Sequence, residues 1–279
     1  MNNPIPRRQV LAAIGALLLV STSISVPTKA SENSPLYAAF TGAWQVSRDH
    51  RPPGGRRGPR SGAARGDRDF GPGGPGRRGD PTAAGDTSND KIPGLDRGDR
   101  HVRMLMTAAG RKAFDSMNPL DLPANNCKSP GLPSIVMTPN LQVWSLSGDT
   151  LTIHHEYYDT VRTIHLDRRT HPADAKHTAA GDAVSWMDGD TLVIETADLA
   201  PTLGGLSRNA PSSDARTVTE RYRLSPDHNT LYGEMTLRDP KYLTRPLVVH
   251  VTMTRQPRGT KIETFPCSID HARDYLKQK

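Results

Sequence analysis

From Leu141 onward, apolar and polar residues alternate in short runs. Leu141 to Leu146, Thr150 to Tyr157, Thr160 to Leu166, Thr191 to Ala197, Arg216 to Leu224, Thr230 to Leu237, Pro246 to Thr254 and Thr260 to Phe265 all read as strands. Ser147-Gly148-Asp149, Asp188-Gly189-Asp190 and Ser225-Pro226-Asp227 separate some of them with turn formers. Phe40 to Ser47 (FTGAWQVS) shows the same alternation near the start of the chain. Helical segments are confined to Thr107–Met117, where Thr107 can cap and Asn118-Pro119 terminate, and to a short stretch from Ser268 to the end. Strands at this spacing, with no helices between them, predict a mainly β fold. The expected form is an antiparallel meander closed or partly closed into a barrel, because closure removes exposed edges and leaves an interior.

Between the first strand and the rest the alternation stops. Residues 48–103 are rich in Gly, Pro and Arg and too poor in apolar residues to build a core, so a flexible, solvated segment is expected. Its Gly74, Gly76 and Gly79 satisfy a GxGxxG pattern. No strand precedes them and Pro75 interrupts them, which excludes a dinucleotide fold at that point. The formal charge of +7 also dissolves on inspection. Residues 1–30 carry 3 basic and no acidic residues, residues 48–103 carry 13 basic and 8 acidic, and the remainder holds 20 basic against 21 acidic. The folding part is near neutral, which argues against nucleic acid as a partner.

Arg7 and Arg8 precede the apolar run Val10 to Val20, and Thr28-Lys29-Ala30 offers small residues for cleavage. The run is too short to span a bilayer, so residues 1–30 read as a removable export signal, with the arginine pair matching a twin-arginine route. The expected organisation is a signal (1–30), the first strand of the barrel domain (31–47), the flexible segment (48–103) and the main part of the barrel (104–279). A periplasmic or secreted monomer follows, with no membrane span. In that oxidising compartment Cys127 and Cys267, the only two cysteines, are expected to form one disulfide.

The strings NPLD, CKSPGLP, EYYDTVRTIHLDRRTHP, GDTLVIET, TVTERYRL and DPKYLTRPL, in this order, resemble a family of exported bacterial proteins of unknown function. FTGAW followed by the meander is similar, more loosely, to lipocalin-like barrels, a resemblance that implies architecture alone. The family resemblance implies no activity. It draws attention to Glu156, Arg162, His171, Glu220 and Asp239, and Gly181-Asp182-Ala183 departs from the family's Gly-His-Ser.

Charged groups embedded among apolar strand neighbours carry the candidate chemistry, since desolvation demands that they pair or serve a ligand. Glu156, Arg162, His171 and Glu220 are therefore the candidate ligand-binding residues, and Glu156, His171 and Glu220 the candidate catalytic ones. Glu156, Asp182, Glu195 and Glu220 lie on neighbouring candidate strands and are positioned to meet inside a barrel. The competing structural reading pairs Glu220 with Arg221 or Arg223, and Glu156 with Arg162, on a wet face. A turn at Tyr158-Asp159 would set His154 opposite Thr163 with His165 on the diagonal, but no established metal-ligand spacing is present, and no metal or other cofactor is expected. No GxSxG elbow supports a nucleophilic triad. The function expected first is binding of a small apolar or amphipathic ligand. The alternatives are a cofactor-independent hydrolase, lyase or isomerase, and an accessory envelope protein.

Overall fold

A computed structural model of the chain describes residues 34–47, 97–207, 209–264, 266–274 and 276. The export signal and almost all of the Gly/Pro/Arg-rich segment lie outside the described residues. The described residues form four short α-helices: α1 (Ser34–Ala38), α2 (Arg97–Met104), α3 (Ala108–Asp115) and α4 (Ile269–Arg273). The strands are β1 (Gly42–Val46), β2 (Leu141–Ser147), β3 (Thr150–His155), β4 (Thr160–His165), β5 (Asp182–Asp188), β6 (Thr191–Ala197), β7 (Thr202–Ser207), β8 (Ala210–Ser212), β9 (Thr217–Leu224), β10 (Thr230–Arg238) and β11 (Leu247–Arg255). Nine of them close into a barrel in the order β1-β11-β10-β9-β6-β5-β4-β3-β2, and β7 and β8 form a separate two-stranded sheet. No helix among the described residues is long and apolar enough to cross a membrane.

The barrel corrects the expected meander in one place. β4 and β5 run parallel, joined only through Ile164↔Ala183 and His165↔Val184. A parallel neighbour needs a long crossover, and residues 166–181 supply it. β5 is buried at Ala183, Val184 and Ser185 in succession, so its sequence does not alternate. The expected strand at Thr260–Phe265 is absent: residues 260–264 form no strand, and Phe265 lies outside the described residues. β1 already bonds to both β11 and β2, so the closed barrel leaves no edge for a further strand.

Alternation decides which side chains fill the barrel. Trp144, Ile153, Ile164, Leu192, Val218, Leu231, Met235, Val251 and Met253 are all buried, and the registers place them on one face of the closed sheet. Gly233 faces Tyr222 across β9 and β10. A Cβ there would lie 2.7 Å from Cε1 of Tyr222, so glycine makes room for the ring. Thr107 caps α3 by accepting from the Gly110 N–H at 3.0 Å. Ser268 caps α4, whose Arg273 donates to the Asn125 carbonyl at 3.1 Å. The Cys127–Cys267 disulfide, with a Cα–Cα distance of 5.8 Å, ties the C-terminal segment to the short helical turn Pro123–Asn126.

Candidate functional site

Two charges sit at the centre of the barrel. Arg162 enters from β4 and Glu220 from β9, with 2% and 0% of their surfaces exposed. The guanidinium grips the carboxylate twice, Nη2 donating to Oε1 and Nη1 to Oε2, the latter at 3.2 Å. Tyr222 donates its hydroxyl to the same Oε2 at 2.7 Å and meets Trp144 edge-on, ring centroids 5.0 Å apart. Burial alone would lower the Arg162 pKa, but the Glu220 charge and hydrogen bond reverse this and raise it. Burial, and then the Glu220 charge, push the Tyr222 hydroxyl well above its usual value, so it remains a neutral donor. The expected pairing of Glu220 with Arg221 or Arg223 does not form: alternation turns Arg221 outward, where it binds Asp188 at 2.7 Å.

Beside this pair lies a set of buried polar atoms without partners among the described residues. They are Gln142 Oε1, Trp144 Nε1, both ring nitrogens of His155, and Arg162 Nε. All five atoms come from three adjacent strands. Gln142 is the register partner of His155, and Trp144 of Ile153, which in turn faces Arg162. His155 is 0% exposed. Burial first, and then the Arg162 charge, hold its pKa well below 6.5, so the ring is neutral and presents one donor and one acceptor. With Trp144 and Arg162 as donors and Gln142 as acceptor, the set offers three donors and two acceptors.

The other two candidates lie elsewhere. β3 ends at His155, one residue before Glu156, which instead opens the turn. Its carboxylate accepts from the Leu141 N–H at 3.2 Å and from Asn140 at 3.4 Å. The turn consumes residues 156–159, with Tyr158 and Asp159 at positive φ, so His154 faces Val161 rather than Thr163. His154 binds Asp159 at 2.5 Å, and His165 lies near Asp167 at 3.8 Å, at the far end of the hairpin. The two imidazoles therefore do not converge, and among the described residues no group of three or more His, Cys, Asp or Glu side chains is placed to hold a metal ion.

His171 sits where the crossover loop meets β5. Its Nδ1 lies 2.5 Å from Asp182 Oδ1, and Nε2 lies 3.4 Å from Glu195. Arg168 also clamps Asp182, its Nη1 donating at 3.0 Å and its Nη2 at 2.5 Å. The Arg168 hydrogen bonds, with His171 adding to them, keep the Asp182 carboxyl below its usual range despite partial burial. Of the four site candidates the structure brings Arg162 and Glu220 together, and it separates Glu156 and His171 from them. Asp182 and Glu195 belong to the His171 cluster, away from Glu220.

A third charged centre lies under the β7–β8 sheet. Asp239 is buried and accepts from the Ser213 N–H and hydroxyl, both at 2.7 Å, and from the Tyr242 N–H at 3.1 Å. Arg216, 1% exposed, donates to Ser212 Oγ and, at 3.2 Å, to the Ala200 carbonyl. Burial lowers its pKa to about 10, with the Asp239 charge opposing, so it stays protonated at neutral pH. In sequence it is one arginine at the head of a strand, with nothing to mark it as internal. In front of it opens an outer pocket of about 720 Å³, whose lining includes Lys128, Gly131, Tyr158, Ala200 and Thr202.

No protein-family model and no curated protein matches the chain.

Proposed function

We propose that the protein binds a small amphipathic molecule inside the barrel, in the cell envelope or outside the cell. The observation that carries this reading is the set of five unpartnered polar atoms on Gln142, Trp144, His155 and Arg162. Each buried polar group left unpaired costs about 1–3 kcal/mol. Five of them would cost about 5–15 kcal/mol, as much as the whole stability of a typical domain. A guest with its own donor and acceptor atoms offsets that cost. The surrounding residues Trp44, Ile153 and Met253 are apolar, which favours a guest whose remaining surface is apolar. In this reading Arg162 and Glu220 hold the floor of the site, and the neutral His155 ring fixes the guest's orientation. The paired arginines and apolar run at residues 7–20, together with the Cys127–Cys267 disulfide, support export.

Native mass spectrometry of protein purified from its own host tests the proposal. The expected spectrum shows a retained organic mass that is reduced in Gln142→Leu and Trp144→Phe. A wild-type spectrum with the bare chain mass, and a high-resolution crystal structure with only water at these atoms, would refute it.

A further inference from the structure

Arg216 poses a different problem from Arg162. Arg162 is neutralised by a carboxylate in direct contact, whereas Arg216 makes no ion pair among the described residues. Asp239, the carboxylate whose charge it feels, is committed to Ser213 and Tyr242. Among the described residues the guanidinium bonds only to Ser212 Oγ and the Ala200 carbonyl, and its Nε has no partner. Asp239 compensates this buried cation without touching it, so the guanidinium keeps a residual positive potential that an anion nearby would lower.

The outer pocket lies on the side from which one can approach. Ala200, which gives its carbonyl to Arg216, lines that pocket, and so does Gly131. Gly131 has φ +77, and a Cβ placed on it would stand 3.7 Å from Arg216 Nη2. With no side chain there, only a thin wall separates the guanidinium from the pocket. Lys128, also in the lining, is exposed and makes no ion pair among the described residues. The adjacent disulfide at Cys127 pins this part of the rim.

We infer that the outer pocket is a second binding site, for a small organic monocarboxylate, with the carboxylate between Lys128 and the Gly131–Ala200 wall in front of Arg216. Pro123, Pro201 and Leu203 line the same space and suit an apolar body. Asp121 and Asp159 also line it, and Asp159 is engaged by His154 at 2.5 Å. These two carboxylates oppose any anion and oppose a second negative charge more than a first, so the guest proposed carries one. The inference stands apart from the barrel-interior reading, since the two sites share no residue named for binding.

Octanoate serves as the probe, with octanol and octanedioate as controls, in calorimetric titrations of the full chain. Octanoate is expected to bind at least about tenfold more tightly than either control, because it alone presents one charge to a partly desolvated cationic site. Lys128→Glu, on the exposed rim, is expected to weaken octanoate and leave octanol unchanged. Arg216→Met is expected to abolish the preference for octanoate over octanol. If that variant fails to fold, Lys128→Glu and the octanol comparison decide. Equal affinity for octanoate and octanol, no binding of octanoate, or binding insensitive to Lys128→Glu would overturn the inference. None of these variants changes the mass retained in the barrel interior, so failure here is distinguishable from failure of the proposed function.

Discussion

Lowering the pH below about 6.5 is expected to destabilise the barrel through His155. Desolvation, reinforced by the Arg162 charge and by neighbouring His154, keeps the folded imidazole neutral far below its usual pKa. Its cross-strand partners, Gln142 and Thr160, carry no charge, and the carboxylate of Glu220 is taken up by Arg162 and Tyr222. In the unfolded chain the ring takes a proton near pH 6.5. The unfolded state then binds more protons than the folded one, so stability falls as the pH drops from 6.5 toward the depressed folded pKa. One group titrating in this way costs about 2 kcal/mol between pH 7.5 and pH 5. That is a sizeable part of the roughly 5–15 kcal/mol available to a domain. Urea denaturation followed by tryptophan fluorescence at both pH values measures it, with His155→Gln as the reference. The other histidines and carboxylates are common to both proteins and largely cancel. The wild type should lose about 2 kcal/mol more than the variant on acidification. Equal losses would show that His155 is protonated or solvated in the fold, and the account of a dry polar interior would fail.

Glu220→Gln leaves Arg162 buried opposite a neutral amide and is expected to cost about 3–5 kcal/mol in denaturant. An Arg162→Met/Glu220→Leu double variant should recover most of that loss, and an unchanged midpoint in the single variant would contradict the buried pair. Gly233→Ala places a methyl 2.7 Å from both Tyr222 Cε1 and Val251 Cγ1. It should cost about 1–3 kcal/mol through overpacking and alter the near-ultraviolet circular dichroism of the Trp144–Tyr222 pair. Reducing the Cys127–Cys267 bond should remove hydrogen-exchange protection from α4, which is otherwise anchored mainly by Arg273 contacts to Asn125 and Asn126. β1–β6 and β9–β11 should keep theirs, and loss of protection across these strands would show that the disulfide supports the barrel itself.

The alternation of residues is a local property, and it determined the strands that bury one face. β2, β9, β10 and β11 begin or end within one residue of the predicted runs, and β6, although buried at Leu192, Val193 and Ile194 in succession, spans its predicted residues. Thr107 marked its helix start for the same reason, because a cap is made within one turn. Alternation also put Val218, Glu220 and Tyr222 on one face of β9. It carried no information about which face is the interior, or about what lies across it. Arg162 meets Glu220 only because closure brings β4 and β9 to opposite walls, with β5 and β6 between them in the sheet. β5 (DAVSWMD) escaped because it shows no apolar–polar alternation; β6 is buried in succession in the same way, and its β-branched Thr191, Val193 and Ile194 marked it as a strand. Thr260–Phe265 matched the pattern, yet the closed barrel offers its described part no edge. Arg216 is the extreme case. A single arginine reads as surface in any sequence, and only the packing of Gly131, Ala200 and Ser212 around it makes it a buried charge. Periodicity sets secondary structure one neighbour at a time, whereas burial of charge is decided by atoms from distant segments that meet only in the folded state.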